Sequence, residues 1–333
     1  MYNSKIIGLG HYVPETVVTN DDLSKIMDTD DAWIQERTGI KERRWIAEGS
    51  DDTSAVMGAK AAKIAMERAG VTSKDIDFIV FATLSPDYYF PGCGVQIQEM
   101  LEMDTIGAID IRNQCTGFVY AISTADQFIK TGMYKNILVI GAEFHSNGLD
   151  KTTRGRGVSV IFGDGAGAAV LTREEDLTKG ILSTHLHSEG KYADKLIVES
   201  PSIAKWVPEL MSNPEDLSYF PYMDGTFVFK NAVTRFSEVI IEGLEKNNLS
   251  KDAIDMLIPH QANLRISQFV QRKFGLNDDQ VFNNIQKYGN TTAASIPIAL
   301  TEAWETGKVK DNDLVVLAAF GSGFTWGSVI MRW

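Results

Sequence analysis

The chain has 333 residues, 44% of them hydrophobic and 23% charged, which suits a soluble globular protein with a substantial core. Acidic residues outnumber basic ones 44 to 32, giving a formal charge of −12. That balance argues against non-specific nucleic-acid binding and against attachment to an anionic membrane surface.

The two cysteines, Cys93 and Cys115, form neither a disulfide framework nor a structural zinc site. Met1 to Gly10 lacks a signal-peptide pattern and no apolar stretch has membrane-spanning length, so the expected location is the cytoplasm, with reduced thiols. Lys5 to Leu9 reads as a strand, and Asn20–Asp21–Asp22 as a helix cap. Trp33 and Arg37, four apart, share a face of the next predicted helix. An aromatic ring beside a guanidinium suits a nucleotide base; a surface helix with one anchored Trp is the plainer account.

Asp51 to Ser54 caps a helix running to about Ala69, and Asp77 to Thr83 is apolar enough for a strand covered on both faces. Gly94 to Leu101 predicts a helix. Ile106 to Ile111 predicts a buried strand, followed by a helix from about Cys115 to Lys130. Cys115 thus falls at a strand-to-helix junction, where free N–H groups and the helix dipole favour an anion. Such a place lowers a thiol's pKa, and the thiolate is the nucleophile. A small buried cysteine without chemistry is the alternative. Asn136 to Ala142 is a further buried strand. Gly163 to Gly167 lacks the Gly-Lys-Ser/Thr and following helix of a phosphate loop, so tight packing between two strands explains its glycines.

The chain then repeats itself. Ser73–Lys74–Asp75 matches Ser250–Lys251–Asp252, Thr131–Gly132 matches Thr306–Gly307, Asn136 to Ala142 matches Asp313 to Ala319, and Phe162 to Gly165 matches Phe320 to Gly323. Ordered self-similarity indicates a duplicated βαβ-rich unit, with halves at 1–172 and 173–333, and sets Asn290–Thr291–Thr292 opposite Cys115. Met256 to His260 reads as a buried strand with His260 at its edge, and Gln261–Ala262–Asn263 opens a helix. Cys115, His260 and Asn290 all fall at strand-to-helix junctions, and together make a nucleophile, a base and an orienter.

Several stretches carry a resemblance over nearly the whole length: Trp33-Ile34 with Arg37-Thr38-Gly39-Ile40, Phe162 to Gly167, Pro259 to Ile266, Gly289-Asn290-Thr291 and Gly321 to Gly327. The chain resembles the β-ketoacyl-acyl carrier protein synthase III family of the thiolase superfamily. The resemblance implies an α/β, five-layered α-β-α-β-α fold built from two halves, and a homodimer. It implies Cys115 as the acylated nucleophile, His260 and Asn290 as the decarboxylating pair, and Ser322 and Gly323 in an oxyanion loop. Trp33 and Arg156 correspond to adenine-stacking residues, Arg37 and Asn263 to further coenzyme A contacts, and Phe90 and Phe320 to acyl-pocket residues. Arg265, with Lys230 as a neighbour, corresponds to an acyl-carrier-docking site; Arg235 and Arg272 are further candidates there. The implied partners are acyl carrier protein and acyl-CoA; no cofactor or metal is implied.

The chain departs from the family pattern in places. Arg112, Asn113 and Gln114 stand before Cys115, where small residues are frequent, and Ser322 stands where glycine is common. The stretch from Ser188 to Met223 is long and holds Trp206, Tyr219, Phe220 and Tyr222, which could reshape the acyl entrance. These features leave open a relative making a specialised lipid or polyketide, or passing acyl groups to another nucleophile. A papain-like Cys-His-Asn hydrolase and a non-catalytic acyl-binding subunit are the readings from other classes.

Overall fold

The computed structural model describes residues 2–202 and 216–333. Two sheets share one strand plan. In the first the order is Asn3–Tyr12, Gly165–Glu174, Ile137–Glu143, Phe78–Ala82, Gly107–Ile111. In the second it is Gly180–Ser188, Thr325–Arg332, Leu314–Gly321, Met256–Pro259. Corresponding neighbours pair alike: Phe78–Ala82 runs parallel to Ile137–Glu143, and Met256–Pro259 runs parallel to Leu314–Gly321.

Alternation along the strands builds the layers. Val80 and Ala82 face a central core, while Ile79 and Phe81 face an outer one. The central core holds helices Gly117–Lys130 and Ser295–Glu305, whose Phe118, Ile122, Ile129, Ile296 and Leu300 are buried between the two sheets. Helices Ser54–Ala69 and Cys93–Met100 cover the outside of the first sheet. Gly225–Lys246 and Leu264–Phe274 cover the outside of the second. The result is the five-layered α-β-α-β-α arrangement expected.

Several local expectations change. The first helix is capped by Thr19, whose backbone and hydroxyl meet the Asp22 carboxylate, rather than by Asn20. Strand Gly107–Ile111 is only half-buried, because it lies at the edge of its sheet. A 3-10 turn, Gln114–Thr116, holds Cys115 ahead of the helix proper, and a matching turn, Thr292–Ala294, precedes Ser295–Glu305. Gln114 and Thr292 take the same left-handed backbone, φ 46° and 47°. The residue opposite Cys115 is therefore Ala293, and Asn290 lies three residues earlier. The Gly163–Gly165 turn is structural, as its composition implied. Asp164 accepts from Ile46 N–H, His145 N–H and the Ser146 N–H and hydroxyl, tying two distant segments to one carboxylate. Among the described residues no helix is long and apolar enough to cross a membrane.

Candidate active site

A cavity of about 560 Å³ opens between the second sheet and the helices outside it, and Cys115, His260, Asn290, Phe320 and Gly321 all line it. The strand Leu314–Gly321 packs its end directly on the Cys115 turn. A Cβ at Gly321 would lie 2.6 Å from Cys115 Cβ, so only glycine allows the approach.

Cys115 is buried, and burial pushes its thiol up to about 12, with the Glu143 carboxylate adding to the rise. The Ser322 N–H, its own N–H and the Thr292 hydroxyl act against that rise without overcoming it. This corrects the expectation from the helix start: at the buried Cys115 desolvation outweighs the helix terminus, and the resting group is a thiol.

His260 directly follows strand Met256–Pro259 and its N–H bonds Ala318 C=O at 2.8 Å. Its Nδ1 lies 2.6 Å from Ser295 Oγ, while its buried Nε2 has no hydrogen-bond partner among the described residues. Burial lowers its pKa to about 3, so the imidazole is neutral. Asn290 Oδ1 accepts the Thr292 N–H at 2.8 Å, which leaves its amide nitrogen as the end available to a ligand.

Three residues in the site escaped the sequence. His145, also buried and lowered to about 3, bonds Thr292 Oγ1 through Nε2 at 2.7 Å. Ser295 orients His260. Glu143, raised to about 7 by burial, accepts from Ser85 Oγ at 2.6 Å and from Ala293 N–H at 3.3 Å, bridging the two halves. Their only signal was position: Glu143 and His145 close the buried strand run from Asn136, and Ser295 opens the helix paired with that of Cys115.

At the mouth, Arg37 lies 4.4 Å and Arg156 5.3 Å from the centre of the Trp33 ring. Trp33 and Arg37 line the cavity, and so do Asn263, Arg265 and Lys230. Asn263 donates to Arg37 C=O at 2.8 Å and caps the helix Leu264–Phe274 through Arg265 N–H, so it positions Arg37 as well as lining the wall. Arg235 is engaged elsewhere, by Glu189 at 2.9 Å and Glu238 at 2.8 Å, and neither it nor Arg272 lines the cavity.

Phe90 does not line this chain's cavity: the residue is 80% exposed on a surface loop. Arg112, Asn113 and Gln114 do not line it either. Of the long 188–223 stretch, Tyr219 and Tyr222 are exposed and Phe220 lies under Arg154, so none of these aromatics lines the cavity. Leu196 and Met223 do line it, and Trp206 lies outside the described residues.

Two stacked sheets with matched strand plans, and a buried Cys, His and Asn around one cavity, define a thiolase-fold condensing enzyme. Models of 3-oxoacyl-[acyl-carrier-protein] synthase III and of its C-terminal region match residues 109–190 and 244–333. The chain is 45% identical to β-ketoacyl-[acyl-carrier-protein] synthase III of Serratia proteamaculans over 329 residues, 99% of each. The structure of the Aquifex aeolicus 3-oxoacyl-[acyl-carrier-protein] synthase III superposes with a TM-score of 0.90 at 44% identity, covering 99% of this chain and 100% of that one. The priming β-ketosynthase of the R1128 polyketide pathway has a TM-score of 0.89 at 30% identity, covering 99% and 96%. The chain belongs to the β-ketoacyl-acyl carrier protein synthase III family. It is an acyltransferase-class condensing enzyme of fatty-acid initiation, which sets the peptidase and non-catalytic readings aside.

Proposed function

We propose that Cys115 accepts an acyl group from an acyl-CoA, and that the acyl-enzyme then condenses with malonyl-acyl carrier protein. The observation that carries this assignment is the buried, unpartnered Nε2 of His260 in the cavity that Cys115 and Asn290 also line. In the first half-reaction Sγ attacks the thioester carbonyl while the N–H groups of Cys115 and Ser322 hold the oxyanion. The thiol proton ends on the departing coenzyme A sulfur, so the transfer leaves no net charge behind and calls for no cofactor. In the second, the malonyl C–CO₂ bond breaks and its electron pair enters the enolate, towards which His260 Nε2–H and the Asn290 amide donate. The enolate carbon attacks the acyl carbonyl, and Cys115 leaves and takes up a proton.

The pair of guanidiniums over Trp33 supports Trp33, Arg37 and Arg156 as the coenzyme A end of the cavity, with Asn263 beside them. Exposed Arg265 and Lys230 at the mouth support a docking site for an acidic carrier protein. Phe320 belongs to the acyl pocket. We also read a homodimer, because the outer edge of strand Gly107–Ile111 pairs with no strand among the described residues, and Tyr88, Tyr89 and Phe90 are exposed. Phe90 would then serve the acyl pocket of a partner copy. The division into halves 1–172 and 173–333 gives the nucleophile to one and His260 and Asn290 to the other. A cytoplasmic location fits these substrates.

Weighing the intact chain after incubation with a panel of acyl-CoAs tests the reading. A mass gain that Cys115→Ala abolishes is expected, as is loss of malonyl-thioester decarboxylation in His260→Ala and Asn290→Ala. Labelling that persists in Cys115→Ala, or sits on Cys93, would overturn it.

A further inference from the structure

Ser322 does more in this molecule than supply a backbone N–H. Its hydroxyl donates to the C=O of Leu196, part of a two-stranded antiparallel sheet in which Leu196–Ile197 pairs with Tyr222–Met223. Leu196 and Met223 both line the cavity. Because Gly321, the neighbour of Ser322, packs against Cys115, with a Cβ there lying 3.1 Å from the sulfur, the tie to Leu196 starts beside the nucleophile. An acyl chain on Cys115 would lie against the paired strands.

The peptide of Ser322 is held by other means. Thr325 Oγ1 donates to Ser322 C=O at 3.0 Å, and Thr116 Oγ1 lies 2.8 Å from Thr325 Oγ1, tying the loop to the Cys115 turn. A glycine here would keep the N–H and that bracing. What it would lose is the bond to the paired strands. On the near side the approach to these strands is zipped to Phe324 by two backbone bonds through Glu189, of 2.7 and 3.1 Å. Among the described residues, the Ser322 hydroxyl is the side-chain tie from the oxyanion loop to these strands.

We propose that Ser322 determines acyl-chain specificity: its hydroxyl latches the paired strands Leu196–Ile197 and Tyr222–Met223 to the oxyanion loop and fixes the depth of the acyl pocket. The proposal rests on the reading that Cys115 is acylated. With the latch in place, a chain that outgrows the pocket must break a part-buried hydrogen bond to displace the paired strands; without it, the strands yield.

Single-turnover acylation of Ser322→Gly, Ser322→Ala and Ser322→Thr, followed by intact mass with acetyl-CoA and octanoyl-CoA, tests the specificity. The octanoyl-to-acetyl rate ratio should rise about fivefold in the Gly and Ala variants, the size of one lost neutral hydrogen bond, and stay near wild type in the Thr variant. Amide hydrogen exchange in peptides spanning 196–197 and 222–223, measured without substrate, should quicken in the same two variants. An unchanged ratio, even with all rates lowered together, would overturn the proposal, as would unchanged exchange. A wild-type chain that takes no acyl group from either donor would overturn the acylation reading, while the exchange measurement would still judge the latch.

Discussion

The Nδ1 of His260 lies 2.6 Å from the Oγ of Ser295, and the same Oγ also receives the Gln261 N–H at 3.4 Å. Where the Ser295 hydroxyl donates to Nδ1, the ring proton is held on Nε2, where it faces the cavity, and this is the tautomer the decarboxylation assigned to His260 requires. Removing the hydroxyl frees the ring to take the other tautomer, which would present a lone pair to a developing enolate. Ser295→Ala should lower kcat for malonyl decarboxylation about tenfold while Cys115 still becomes acylated. The ¹⁵N spectrum of His260 should lose its Nε2–H signature, and Ser295→Thr should restore it; unchanged spectrum and rate would refute the assignment.

Cys115, raised to about 12 by burial, should be alkylated by iodoacetamide at a rate that climbs about tenfold per pH unit from pH 6 to 9. Thr292→Ala removes a donor to the sulfur and should slow alkylation at every pH. A rate that levels off near neutral pH would mean that the helix start prevails over desolvation.

Glu143 is held at about 7 against an ordinary value of 4.5, chiefly by burial. Its folded-state pKa is raised, so its stabilising contribution is complete below about pH 4.5 and is lost as pH rises through 7. Between pH 4.5 and 8, urea unfolding of the wild type should lose on the order of 3 kcal/mol more than that of Glu143→Gln. Parallel pH profiles would show that the carboxylate stays ionised throughout.

Arg265 sits exposed at the mouth with its guanidinium 5.7 Å from the Phe229 ring, on a chain of net charge −12. Attraction of an acidic carrier protein must then be local. Arg265→Glu should raise KM for carrier-bound malonyl substrate at least tenfold, with little change for a small malonyl thioester, and added salt should weaken the wild-type reaction with the same selectivity. Equal losses with both substrates would assign Arg265 to the fold or the active site.

The layered fold was legible because buried strands such as Phe78–Ala82 are apolar on both faces, and because the duplication wrote its plan twice. Cys115, His260 and Asn290 were legible as residues at strand-to-helix junctions. The thiol's ionisation was not: a motif displays the helix start beside Cys115, but what opposes it is burial, to which Gly321 contributes by packing on the sulfur, and the charge of Glu143, and both residues are distant in sequence. The wall of the cavity is hidden for a similar reason: aromatic residues stand out in 188–223, yet among the described residues of that stretch the side chains that reach the cavity are Leu196 and Met223, brought there by a strand pairing that has no local signature.

Ala293 occupies the place in its turn that Cys115 holds in the other, and the two turns touch: a Cβ on Gly117 would lie 3.2 Å from Ala293 Cβ. Were the two halves separate identical copies, every change at this turn would appear twice, and a thiol on one side would require a thiol on the other. Joining them in one chain removes that obligation. One turn carries the sulfur, and its twin carries a methyl that forms the wall on which the first one rests.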